Sequence, residues 1–230
     1  MNEDHFRIED WQIRVVEGAA SLEAPVFTLE DVRVGPHPRD EGYDAHIAAT
    51  TGSSVVWGDE WRFDPDDGRL VSLIWGVPER NTQAPDFLGS ARPATFYIRS
   101  LSGECDMPLT RTFTPDRLVC GRAEPLLRPV GFQVAPDLTV LVQDGRWWGW
   151  ALTRPLHHLP GGPAPAELGP LISEWFHLIS EENLDALDAA DPDLSERMTR
   201  LRDRATALAS PASNALIMRI DAVWTNFFGG

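Results

Sequence analysis

The chain contains no lysine: all 20 of its basic residues are arginine. A Walker A loop, a pyridoxal-phosphate Schiff base and the kinase β3 site each need a lysine amine, so those chemistries are excluded. Cysteine is scarce as well. Cys105 and Cys120 are too few for a disulfide scaffold and show no metal-ligand spacing, so both are expected to be reduced. No apolar run approaches the roughly 20 residues that a membrane-spanning helix needs. The opening "MNEDHFRIEDW" lacks the basic start and apolar stretch of a secretory signal, which predicts a cytoplasmic protein. A lysine-free composition rich in arginine, alanine, glycine and proline resembles the product of a GC-rich bacterial genome.

What is present is a globular chain with an acidic excess. Of 230 residues 43% are hydrophobic, enough to build a core, and the formal net charge is −15. Residues 1–60 hold 13 acids and 4 arginines, residues 61–165 hold 11 of each, and residues 166–230 hold 11 acids and 5 arginines. Acidic ends around a neutral middle repel nucleic acid phosphates and anionic membranes, and predict a basic partner.

The first two-thirds of the chain read as strands. "WQIRVV" (11–16), "FTLEDVRVG" (27–35) and "YDAHIAATT" (43–51) carry β-branched or alternating patterns. "SVVWGDEWRF", "DPDDG" and "RLVSLIWGV" make a hairpin with Gly68 in its turn. Further strands are expected at 95–101, 109–114, 116–122, 130–135 and 138–153, the last split by a second hairpin turn at Asp144-Gly145. At "LPGGPAPAELG" (159–169) glycine and proline interrupt the pattern, and helical periodicity follows. Asp191-Pro192 and Ser210-Pro211 are start signals for the last two helices. The expected fold is α+β: an antiparallel β-rich body over 1–158 (curved sheet, sandwich or partial barrel), a Pro/Gly linker over 159–169, and a helical region over 170–228 packed on the body as one unit.

Candidate sites are few. "FDPDDGRL" fails as a calcium loop, because counting from Asp64 puts Gly68 at position five and Trp75 at position twelve. Neighbouring His157 and His158 face opposite ways on a strand, and His157 and His177, conceivable as a zinc pair across the linker, read instead as a partly exposed loop histidine and a helix-surface histidine. "TTGSSVVWG" is not a nucleophile elbow, and the acids beside Cys105 raise a thiol pKa. Asp59 and Glu60 are adjacent and so diverge on a strand. No cofactor and no metal is expected.

Two features remain. In "DGRWWGWALT" strict strand alternation puts Trp148 and Trp150 in the core with Leu152 and leaves Trp147 outside beside Arg146. Gly149 then leaves room for something to lie against the outer ring. In the acidic helix around 181–190, Glu181, Asp185 and Asp188 share a face next to Glu182, with the arginines of the following helix as the available counter-charges. These point to a non-catalytic protein-binding module, in its sharpest form an immunity- or antitoxin-like protein capping a basic toxin. Its partner-binding residues would be Arg146, Trp147, Glu181, Glu182, Asp185 and Asp188. The alternative is a small-molecule or carbohydrate binder, or a lysine-independent enzyme, with a pocket in the β body lined by Trp57, Trp61, Trp75 and the 147–150 cluster.

Overall fold

The computed structural model describes residues 4–53, 59–83, 90–100, 108–125 and 127–228. The elements run β1 (Asp4–Ile8), β2 (Trp11–Glu17), β3 (Val26–Phe27), β4 (Asp31–Val34), α1 (Tyr43–Ala49), β5 (Thr51–Ser53), β6 (Glu60–Phe63) and β7 (Leu70–Gly76). Then come β8 (Arg80–Asn81), β9 (Ala91–Ser100), β10 (Thr110–Thr114), β11 (Arg117–Gly121), β12 (Val130–Ala135), β13 (Leu138–Gln143) and β14 (Arg146–Thr153). The helices α2 (Leu168–Leu178), α3 (Leu184–Asp188), α4 (Pro192–Ala207) and α5 (Pro211–Phe227) close the chain. The α+β expectation holds: a β-rich body precedes a helical region. Among the described residues no helix is long and apolar enough to cross a membrane.

The larger sheet has the order β1-β2-β9-β12-β13-β14-β11-β10-β8, and β1 also pairs with β14. Six strands therefore form a partial barrel, and β11, β10 and β8 run on from it as an extension. The closing seam is short: Arg7 registers with Arg146 in parallel, and the Arg7 N–H donates to the Gly145 carbonyl at 2.9 Å. From Gly149 onward the same edge of β14 pairs with β11 instead. A second sheet, β3-β4-β7-β6-β5, packs against this body. Phe6, Phe96 and Phe132 fill the barrel with centroids 5.1–6.5 Å apart. Trp61 and Trp75 of the second sheet meet Trp147 and Trp150 of β14 across the layer, with centroids 5.5–6.4 Å apart.

Turn chemistry fixes much of this. Asp144 and Gly145 have φ of 52° and 71°, the two positive values that a tight two-residue hairpin requires. Gly68, at φ 76°, closes the β6–β7 hairpin by donating to the Asp64 carbonyl at 2.9 Å. That turn also docks on the barrel, since the Ile98 N–H donates to the Gly68 carbonyl at 2.8 Å.

Two expected strands are corrected. Residues 43–49 form a helix rather than a strand: Tyr43, His46 and Ile47 fall at i, i+3 and i+4, so the 3.6-residue period competes with the alternation and wins. Residues 27–35 are not one strand but part of a small hairpin. Leu29 turns at φ 73°, and Thr28 Oγ donates to Asp31 Oδ1 at 2.9 Å.

The helical region is fastened by side chains that finish its ends. Asp191 caps α4 by accepting from the N–H groups of Asp193 and Leu194 at 2.9 and 3.0 Å, and Ser210 forms a reciprocal capping box with Ser213 at the start of α5. At the C-terminal end of α2, buried Arg111 from β10 donates to the Phe176 carbonyl at 2.6 Å, where Asn81 also donates at 3.0 Å. The guanidinium lies 4.3 Å from the Phe176 ring centre, and a cation at a helix C-terminus opposes the negative end of its dipole. Burial pulls the Arg111 pKa down to about 10, so it stays charged at neutral pH.

Candidate functional site

The tryptophan strand departs from the sequence expectation. Trp147 is 1% exposed, inside the main core, and Trp148 lies on the opposite face in a small cluster with Val119, Leu141 and Ala151. The cause is a β-bulge. Leu141 registers with Gly149 and Val142 with Trp147, so Trp148 is an extra residue and the alternation shifts by one. Trp150 and Leu152 do enter the core. The space at Gly149 is taken by β11: a first side-chain carbon there would lie 2.1 Å from the Cys120 carbonyl oxygen. The Trp148 ring covers Gly121 in the same way. Trp147 therefore offers a partner no surface, and its indole N–H donates to the Gly149 carbonyl at 2.8 Å.

Trp61, Trp75, Trp147 and Trp150 fill the space between the sheets by touching one another. Trp57 and Cys105 lie outside the described residues. Arg146 is exposed at the start of β14. Trp147 is buried, and no hydrogen bond, ion pair or ring contact among the described residues joins Arg146 or Trp147 to the acidic segment.

The acidic segment itself is a 3-10 turn over Glu181–Asn183 running into α3. Leu187 is its buried anchor, while Glu181, Glu182, Asp185 and Asp188 are exposed. Three of the four arginines of α4 are paired with other acids, and the fourth, Arg197, has no ion pair among the described residues. Arg200 pairs with Glu196 at 3.4 Å, Arg202 with Asp221 at 2.5 Å and Arg204 with Glu174 at 2.5 Å. Glu181 meets Arg80 at 3.7 Å in an exposed pair, whereas Glu182, Asp185 and Asp188 have no ion pair among the described residues.

A buried group of ionisable side chains among the described residues was not legible in the sequence. On one face of β6, Glu60 and Arg62 are both buried and 3.4 Å apart. The short helix α1 covers them. Tyr43 donates its hydroxyl to Glu60 Oε2 at 2.5 Å, and His46 Nε2 lies 2.7 Å from Ser72 Oγ on β7. None of the side chains of α1 is fully buried, and these polar contacts help to hold it in place. Burial and the Glu60 hydrogen bond push the Tyr43 pKa up to about 12, and burial lowers that of His46. The tyrosine thus keeps its proton and serves as a donor, and the histidine is neutral at pH 7. A serine–histidine contact is half of a nucleophile-activating arrangement. Here Ser72 is buried, and its Cβ lies so close to Gly35 that any side chain at 35 would meet it at 2.6 Å. The contact fastens α1 to the sheet.

Asp59, directly before β6, is buried on its own. Its Oδ1 accepts the Gly76 N–H at 2.8 Å, and its Oδ2 has no partner among the described residues. Burial pushes its pKa well above the usual carboxylate range, with the Gly76 hydrogen bond opposing. The folded state therefore binds a proton that the unfolded state releases above about pH 4. Stability from this site is full below that value and falls as pH rises toward the folded-state pKa. Asp59→Asn should accordingly gain stability relative to the parent as pH is raised from 4 to 8, measured by urea midpoints. A difference that stays constant with pH would show that Asp59 is not held neutral. Cys120, also buried, is a free thiol whose pKa burial raises, the opposite of what a nucleophile needs.

His157 and His177 are both exposed. His158 instead binds inward, with Nε2 3.1 Å from Asp137 Oδ2 and Nδ1 3.1 Å from the Pro25 carbonyl, tying the turn at Pro155–His158 to the β body. No group of three or more His, Cys, Asp or Glu side chains among the described residues is placed to hold a metal ion. Comparison of the chain with protein-family models, with curated proteins and with solved structures returns no match.

Proposed function

We propose that the chain is a non-catalytic protein-binding module that presents the acidic segment 181–188 to a basic partner. The observation that carries this reading is the pairing pattern: three of the four arginines of the following helix are engaged elsewhere and Arg197 makes no ion pair, while Glu182, Asp185 and Asp188 stay exposed and unpaired among the described residues. Like charges three and four residues apart cost a helix a few tenths of a kcal/mol each, roughly. A basic surface docked on them relieves that repulsion and gains speed of encounter from a chain of net charge −15. A toxin-neutralising immunity protein is the narrowest form of this reading, and it is supported by charge and size alone.

The test compares two variants of equal charge. One carries Glu182→Gln, Asp185→Asn and Asp188→Asn, and the control carries Asp44→Asn, Asp66→Asn and Asp116→Asn at exposed positions elsewhere. Proteins captured from the source cells are identified by mass spectrometry. A basic protein retained by the parent and the control but lost from the first variant is the expected result. If both variants retain the same proteins, the acidic segment is not the binding face.

A further inference from the structure

We infer that the cleft between the β3–β4 hairpin and helix α5 is a binding site for a small molecule with an anionic head and an apolar body. This site is separate from the acidic segment. The cleft encloses about 510 Å³, within the range of roughly 300–1,000 Å³ typical of small-molecule pockets. One wall is basic, with Arg33 of β4 and His37 and Arg39 of the loop that follows. Two of the 4 arginines in the strongly acidic stretch 1–60 thus converge on one cavity.

Neither Arg33 nor Arg39 has an ion pair among the described residues. The one lining carboxylate, Asp40, is turned to its own loop, where its Oδ2 accepts the His37 N–H at 2.6 Å. His37 Nδ1 faces the Arg39 N–H at 3.1 Å and accepts from it, which leaves Nε2 as the proton-bearing donor of the neutral ring. Donors thus dominate this wall.

The opposite wall is a single line along α5. Asn214, Met218 and Ala222 repeat every four residues and so share one helix face, with Ala215 beside them. Met218 is 71% exposed, and a thioether chain is the adaptable apolar contact that irregular ligands use. Pro160 and Gly161 also line the cleft, and Gly161 packs so tightly on Pro211 that a side chain there would meet it at 2.8 Å. Arg219 of α5 pairs with Glu30 of the hairpin, so the two walls are tied together without a ligand. A carboxylate or phosphate bound to Arg33 and Arg39 would lay an attached hydrocarbon on Met218 and Ala222.

The probes are octanoate, octyl phosphate and octylammonium, titrated into protein carrying ¹³C-methyl methionine. The Met218 methyl signal is assigned through Met218→Leu, and that of buried Met198 is the internal control. The two anions should shift the Met218 signal saturably and leave Met198 unmoved, and octylammonium should shift neither. Arg33→Gln and, separately, Arg39→Gln in its exposed loop should each weaken the anions by about tenfold, the scale of one lost charge-assisted hydrogen bond. The tighter of the two anions tells whether the natural head group is a carboxylate or a phosphate ester. No saturable shift, an equal shift with octylammonium, or undiminished affinity in both arginine variants would overturn the inference.

Discussion

Trp147→Ala should destabilise the fold by about 3–5 kcal/mol, the range for emptying a large aromatic from a packed core. Trp147 sits in contact with Trp61 and Trp75, so its loss opens the joint between the two sheets as well as the barrel seam. Trp148→Ala should cost less, about 2 kcal/mol. Its ring covers Gly121 on the outer face, and its indole N–H donates to the Glu124 carbonyl at 3.0 Å. Urea unfolding followed by far-ultraviolet circular dichroism separates the two without relying on tryptophan emission. The order matters more than either value. An unbulged strand would make Trp148 the core residue, so a larger loss at 148 than at 147 would refute the bulge.

Glu60→Ala should be nearly as damaging, at about 3–5 kcal/mol, because it leaves the Arg62 guanidinium buried without its counter-charge and Tyr43 without its acceptor. The informative comparison is the double replacement Glu60→Leu with Arg62→Met. Removing both charges at once leaves no uncompensated ion, and a well-packed apolar pair is close to neutral in such exchanges. The double variant should therefore recover most of the stability that the single one loses. A double variant as unstable as Glu60→Ala would mean that the pair contributes shape rather than charge balance. Limited proteolysis adds a local readout: in Glu60→Ala, cleavage should begin within α1, which loses its Tyr43 contact.

Local chemistry made the hairpins and helices legible. Asp144-Gly145, Asp191-Pro192 and Ser210-Pro211 each name a turn or cap through properties of two or three adjacent residues, and the backbone follows them. Tyr43–Ala49 was misread because seven residues satisfy both the alternating and the helical period, and neither is long enough to exclude the other. The burial of Trp147 is not legible for a different reason. A bulge is set by which strand lies alongside, here β11 pressed on Gly149, and nothing in "RWWGW" records that neighbour. The Glu60–Arg62 pair shows the same gap: "EWRF" alternates charge with aromatic and reads as half solvated until α1 is placed over it. The cleft arginines were likewise invisible, since Arg33 and Arg39 acquire meaning only when a helix nearly two hundred residues away faces them.

The barrel seam also sets a timetable. The strand that closes the barrel, β1, is synthesised well before the stretch it closes against, which begins at Arg146. Throughout synthesis of the intervening chain β1 has only β2 for company, and one of its edges stays open. Pairings so distant in sequence raise the contact order, the property that slows folding of β-rich domains. β1 therefore leaves the ribosome early and docks late, and in that interval the charges of Asp4 and Arg7 on it disfavour pairing of its open edge with other chains.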